Sequence, residues 1–153
     1  THVKLLERYI GDDFAYINDD KPLLKMDNEN IIIYSSPWNG KENLGTNVMV
    51  PLKAIVILSR ADNNCITPIS YRDAFTSIYS QIYRPVETNK MRKTLTMLKS
   101  LEESIQFFIS KNIKHHKAIN IIIKIIFIPV LDFSSFKILL AKSDSLFESI
   151  VFI

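Results

Sequence analysis

The stretch YINDDKPLLK, Tyr16 to Lys25, decides how the rest of the chain is read. An apolar approach runs into two adjacent aspartates, then a lysine and a proline. Asn, Asp and Pro are turn formers, because Asn and Asp side chains bond back to their own main chain and Pro fixes φ. On the dipeptide alone a solvated turn is the favoured reading. The alternative makes FAYIN, Phe14 to Asn18, a strand that delivers Asp19 and Asp20 to the rim of a sheet, where open α/β folds bind ligands. One carboxylate there can hold Mg2+, which takes hard oxygen ligands and keeps water and phosphate in the rest of its shell. A second can accept a proton from an attacking hydroxyl.

Outward from this stretch, THVKLLERYIG places Val3, Leu6 and Ile10 near one face of a short helix that Gly11 stops. Thr1 stands directly in front of this amphipathic run, so the first residue reads as a cut. PLLKM and NIIIYSS, separated by the polar DNEN, predict a hairpin. SPWNGKENLGTN, Ser36 to Asn47, holds two of only three glycines and reads as a loop with demanding backbone geometry. VPLKAIVILSR, Val50 to Arg60, reads as one largely buried strand, and NNCITPIS as a turn with a shorter strand. A helix is predicted from Ser70 as N-cap, with Asp73 three residues on and Ala74, Ile78 and Ile82 at four-residue steps, broken by Pro85. From Glu87 a long amphipathic helix carries Met91, Leu95, Leu98, Leu101 and Ile105 on one stripe, which reads as core packing.

After about Phe107 the texture changes. Residues 109–128 are dominated by Ile, Lys, Asn and His, and the part beyond Pro129 by Ser, Phe, Leu and Ile. Ile, Lys, Asn and Phe are the amino acids of A/T-rich codons, so this is either a folded element from a biased genome or a segment read out of frame. The expected organisation is a domain over 1–106 followed by an atypical segment over 107–153.

At 153 residues the chain fits a single domain with a real core. Its 19 basic and 16 acidic residues, net +3, support solubility and give no case for nucleic acid. One cysteine, Cys65, excludes an internal disulfide and a multi-cysteine zinc site, and points to a reducing cytoplasm. The longest apolar stretch, Ile121 to Leu131, is interrupted by Lys124 and Pro129 and falls short of the roughly 18 to 20 residues of a membrane span. Neither a transmembrane helix nor a membrane partner is expected.

Other residues offer chemistry with an ordinary reading beside it. Trp38 and Lys41, flanking Gly40, supply a planar wall and a phosphate-facing ammonium, or a loop anchor on the core and an exposed lysine. Arg84, just after a helix, reaches a transferring phosphoryl group or compensates the helix dipole. His2, His115 and His116 lack metal-ligand spacing, and Cys65 has no base partner and reads as a small buried hydrophobe. The chain has no complete Gly-rich phosphate loop, Ser-His-Asp order or zinc motif.

Taken in order and at their spacing, THVKLLERYIGDDFAYINDDKPLLK, SSPWNGKENLGTNVMVPLKAIVIL and SQIYRP resemble the bacterial proteins related to HPr kinase and to ATP-dependent phosphoenolpyruvate carboxykinase. The resemblance covers roughly residues 1–106. In that group a Walker-type loop ending G-K-S-T-H leads into the first helix. A strand ending N-D-D-K-P follows, then a G-T-P-W-S-G-K-like loop, and N-x-x-V-P-L-K-A-I before another strand. The resemblance implies an α/β fold, a phosphoenolpyruvate carboxykinase-like P-loop domain with a mixed sheet and flanking helices, incomplete at its start. It further implies ATP and Mg2+ as cofactors and phosphoryl transfer to a protein serine or a small molecule.

Carried over by position, Thr1 and His2 match the T-H after the loop's lysine and serine, which places most of the phosphate site outside this chain. Little or no catalysis is expected of the chain as it stands. Asp19 and Asp20 match the acidic pair for Mg2+ coordination and acceptor activation, in an order left open. Lys21, Trp38, Lys41 and Arg84 match positions with supporting roles around phosphate or acceptor, while Ser35 and Ser36 replace the usual Gly-Thr. The family's L-x-C-N-x-x-x-E-A-A ending has no counterpart in FFISKNIKHHKAINIII, which strengthens the out-of-frame alternative. With this context a Mg2+-side acidic pair becomes the better reading of Asp19 and Asp20. Two rival functions are a non-catalytic nucleotide-binding or regulatory module, and an interaction protein that associates through its apolar tail.

Overall fold

The hairpin expected after Pro22 forms, and a third strand extends it into an antiparallel sheet. A computed structural model describes residues 7, 8, 10–28 and 30–112. Strands β1 (Leu23–Asp27), β2 (Asn30–Tyr34) and β3 (Met49–Pro51) lie in the order β1-β2-β3. Asn28 turns the chain between the first two with φ +54°, a left-handed conformation that Asn tolerates better than most side chains. The register aligns Leu24, Ile33 and Val50 in one row and Leu23, Tyr34 and Met49 in the next. Side chains alternate across a sheet, so the first row faces the core, while Leu23 and Met49 stand out at 50% and 66% exposed.

A second sheet is mixed. It contains β4 (Ala54–Arg60), β5 (Cys65–Pro68) and β6 (Gln106–Asn112) in the order β4-β6-β5, with β6 parallel to β4 and antiparallel to β5. Helices α1 (Tyr71–Gln81) and α2 (Thr88–Ser104) connect β5 to β6. Ile55, Val56 and Ile57 are buried in succession, as expected of a strand covered on both faces. They join Ile31, Ile33, Ala74, Ile78, Leu98, Leu101 and Phe107 in one core. The chain is therefore an α/β fold with one antiparallel and one mixed sheet.

Ser70 caps α1 as its sequence predicts, accepting from the Asp73 N–H at 3.1 Å and donating to Asp73 Oδ2 at 2.6 Å. Ser70→Ala is expected to cost about 1 kcal/mol. It should lower the urea midpoint with an unchanged slope, and an unchanged midpoint would count against the cap. Ala74 and Ile78 face the core, but α1 stops at Gln81, ahead of Pro85. On α2, Leu98 and Leu101 are buried, whereas Leu95 is 43% exposed and Ile105 lies just past the helix end.

Three expectations are corrected. FAYIN is not a strand: Phe14 is extended, but the Tyr16 carbonyl accepts from both the N–H and Oγ1 of Thr46, each at 2.7 Å. One loop residue satisfies that carbonyl in place of a ladder. VPLKAIVILSR is two strands, β3 closing at Pro51, which has no N–H to donate, and β4 opening at Ala54. Leu52 N–H still donates to Ile31 O at 2.7 Å, while Lys53 O accepts from Gln106 N–H at 3.1 Å, so the chain changes sheets between these two residues. Finally, β6 continues to Asn112 with Phe107 and Phe108 buried, so the limit expected at residue 106 falls inside a core strand. The rest of the segment expected over 107–153, residues 113–153, lies outside the described residues. No helix among the described residues is long and apolar enough to cross a membrane.

Candidate functional site

Asn18 joins the acidic turn to the tryptophan loop. Its Oδ1 accepts from the main-chain N–H of Asp20 at 2.8 Å and of Lys21 at 2.6 Å, an Asx turn that bends the chain at the two aspartates. Its Nδ2 faces Ser36 O, Ser36 Oγ and Trp38 O, each at 3.2 Å, and Asn39 Oδ1 at 3.0 Å. Ser36 Oγ closes the circuit by donating to Lys21 O at 2.6 Å. Ser36 is itself buried, so this loop pair is pinned by polar contacts where side-chain packing is sparse.

Asp19 adds a second tie. Its Oδ1 accepts from the Gly40 N–H at 2.5 Å. A Cβ at position 40 would stand 2.8 Å from Asp19 Oδ2 and 3.1 Å from Asp19 O, so a larger residue there would push the Asp19 carboxylate aside and crowd its main chain. Asp20 is exposed, with its Oδ1 3.7 Å from Lys21 Nζ, a surface pair that contributes little to stability. Beyond Gly40, exposed Lys41 begins a turn closed by Asn43 N–H on Gly40 O at 3.1 Å, with Asn43 at φ +50°. Trp38 is 64% exposed, so it does not anchor the loop on the core; its main chain does, through Asn18 and Ser36. Beside the loop, burial and a hydrogen bond to Glu7, with the charges of Glu7 and Glu42, push the Tyr16 phenol far above its usual range.

The loop pair thus gathers Asp19, Asp20, Lys21, Trp38 and Lys41. Arg84 is not joined to it by a hydrogen bond or ion pair among the described residues. Its guanidinium lies 5.8 Å from the centre of the Tyr79 ring, at the end of a row in which Phe75 and Tyr79 stack at 5.6 Å. Thr1, His2, His115 and His116 lie outside the described residues. Cys65 is exposed, correcting the buried reading: its position at the start of β5 leaves it uncovered.

No group of three or more His, Cys, Asp or Glu among the described residues is arranged to hold a metal. The oxygens of Asp19 and Asp20 suit a hard cation in the manner of Mg2+, which needs only one or two carboxylates when water and phosphate complete its shell. The residues that sequence reasoning missed are Asn18, Ser36 and Asn39. The available signal was the Asn two and three residues before Asp20 and Lys21, which is Asx-turn spacing. No protein-family model matches the chain, and neither does any curated protein or solved structure.

Proposed function

We propose that this domain binds ATP with Mg2+ within a carboxykinase-like P-loop architecture that serves phosphoryl transfer, in a cytoplasmic setting, with little or no transfer by this chain alone because it carries no phosphate loop. The observation that carries the reading is the Asn18 junction, which holds two carboxylates, two lysines and an exposed indole on one pair of loops. In this reading Asp20, exposed to solvent, is the Mg2+-side carboxylate, and bound Mg2+ would neutralise phosphate charge. Lys21 and Lys41 offer ammonium groups to phosphate oxygens, and Trp38 offers a flat face to a base or acceptor. Such catalysis is mostly positioning and charge neutralisation, which a rigid loop pair suits. The acceptor is a protein hydroxyl or a small molecule. Arg84 enters only as a charge held by Tyr79.

A second reading, a nucleotide-binding module without turnover, is favoured by one contact. Asp19 Oδ1 already accepts from the Gly40 N–H, which makes that carboxylate a loop clamp and occupies one of its two oxygens. Trp38 is the sole tryptophan, so its fluorescence reports directly on the loop pair. Titration with ATP should give a saturable change that requires Mg2+ and weakens roughly tenfold or more in Asp20→Asn. Transfer of the γ-phosphate to water or acceptor, followed with labelled ATP in the full-length gene product, separates the two readings. Binding without transfer selects the module, and no Mg2+-dependent binding overturns both.

A further inference from the structure

A cleft of about 360 Å³ opens where the end of α2 meets β5 and the start of β6. Its walls include Pro68, Ile69, Tyr71, Glu102, Gln106 and Phe107, none of which belongs to the loop pair around Asn18. This volume lies within the roughly 300 to 1,000 Å³ usual for small-molecule sites. The main chain around it is tied down. Ile69 N–H donates to Phe107 O at 3.0 Å, and Ile105 N–H donates to Leu101 O at 3.2 Å. The Tyr71 and Phe107 rings meet at 5.5 Å with a 58° tilt, and both line the cleft as an aromatic wall.

Among the described residues that line this cleft, the one charged side chain is Glu102. The last turn of α2 contains Glu102 and Glu103 and no basic residue. A helix C-terminus already carries about half a negative charge and is normally complemented by Lys, Arg or His. Here two glutamates add to it. Burial and the Glu102 charge push the Tyr71 phenol above its usual range, so Tyr71 stays neutral and keeps its ring available as a wall. Aromatic faces beside a carboxylate attract a cation by ring quadrupole and by charge together.

We propose that this cleft binds a small organic cation, an ammonium with a compact apolar or aromatic body. The head group sits toward Glu102 and the carboxyl end of α2, and the body lies against Tyr71 and Phe107. An anion meets repulsion there, and a neutral analogue keeps only the apolar contact.

The test uses the whole chain without nucleotide, so it stands apart from the phosphoryl-transfer reading. Benzyltrimethylammonium is titrated by calorimetry and by saturation-transfer NMR, with benzyl alcohol as the neutral control. The cation is expected to bind roughly tenfold or more tightly than the alcohol. Glu102→Gln should bring the two together. Because Glu102 is exposed, that variant keeps the thermal transition of the wild type, which circular dichroism checks. Tyr71→Phe should retain the preference for the cation and Tyr71→Leu should weaken it. No saturable binding, equal binding of the alcohol, or an unchanged preference in Glu102→Gln overturns the proposal.

Discussion

A chain ending at Gln106 is expected to lose cooperative folding, whereas a chain ending at Asn112 keeps it. Strand β6 is the middle of its sheet, pairing with β4 along Ala54 to Arg60 and with β5 along Cys65 to Pro68. Its removal leaves both neighbours without a ladder. It also removes Phe107 and Phe108, which are 5% and 4% exposed. Truncating a buried Phe to Ala costs about 3 to 5 kcal/mol, so the two together approach the roughly 5 to 15 kcal/mol of a whole domain. Urea unfolding followed by far-ultraviolet circular dichroism should show a sigmoidal transition for the longer chain and a sloping baseline for the shorter. Matching midpoints in the two chains would refute the central place of β6.

Asn18→Ala should be the most damaging single change in the loop pair, at about 2 to 3 kcal/mol. The substitution leaves Asp20 and Lys21 N–H without their acceptor and removes the two amide hydrogens shared among Ser36 O, Trp38 O and Asn39 Oδ1. Asn18 is only half-buried, so water recovers part of the loss. Asn18→Asp is the informative companion. It keeps an acceptor for the two N–H groups but turns a carboxylate oxygen toward the oxygens of Ser36, Trp38 and Asn39, so it should do no better than alanine. Asp20→Asn, which touches only an exposed pair, should stay within about 0.5 kcal/mol of wild type. Midpoints in urea decide the order; an Asn18→Ala protein as stable as Asp20→Asn would show that the junction does not hold the loops.

Much of the local structure was legible because single residues announce it. Ser70 and Asp73 declare the start of α1, and the polar DNEN between two apolar runs declares the β1–β2 hairpin. What was hidden depended on partners remote in sequence. VPLKAIVILSR looks like one strand because apolar alternation records burial, not which sheet supplies the burial; Pro51 was the only local sign of the change. Strand β6 was obscured for a related reason. Buried from both sides, it reads QFFISKN, without the strict alternation of a half-exposed strand, and the composition begins to drift at the same place. At the loop pair the acidic residues and the tryptophan drew attention. The residue that joins them, Asn18, is chemically bland and becomes visible only when both loops are placed. The Asp19–Gly40 tie and the separate place of Arg84 come from geometry.

The parallel pairing of β4 with β6 also sets the timing of biosynthesis. Ala54 pairs with Gln106, a separation of 106 − 54 = 52 residues, so β4 has no parallel neighbour when it leaves the ribosome. Arg60, the end of β4, precedes Gln106 by 106 − 60 = 46 residues, which at about 5 to 20 residues per second takes roughly 2 to 9 s. During that interval the β1–β2–β3 meander, whose pairings are short in range, can already close. The nascent chain meanwhile presents Ile55, Val56 and Ile57 unpaired on the β4–β6 side, the kind of surface that holding chaperones recognise, until the two phenylalanines arrive to cover it.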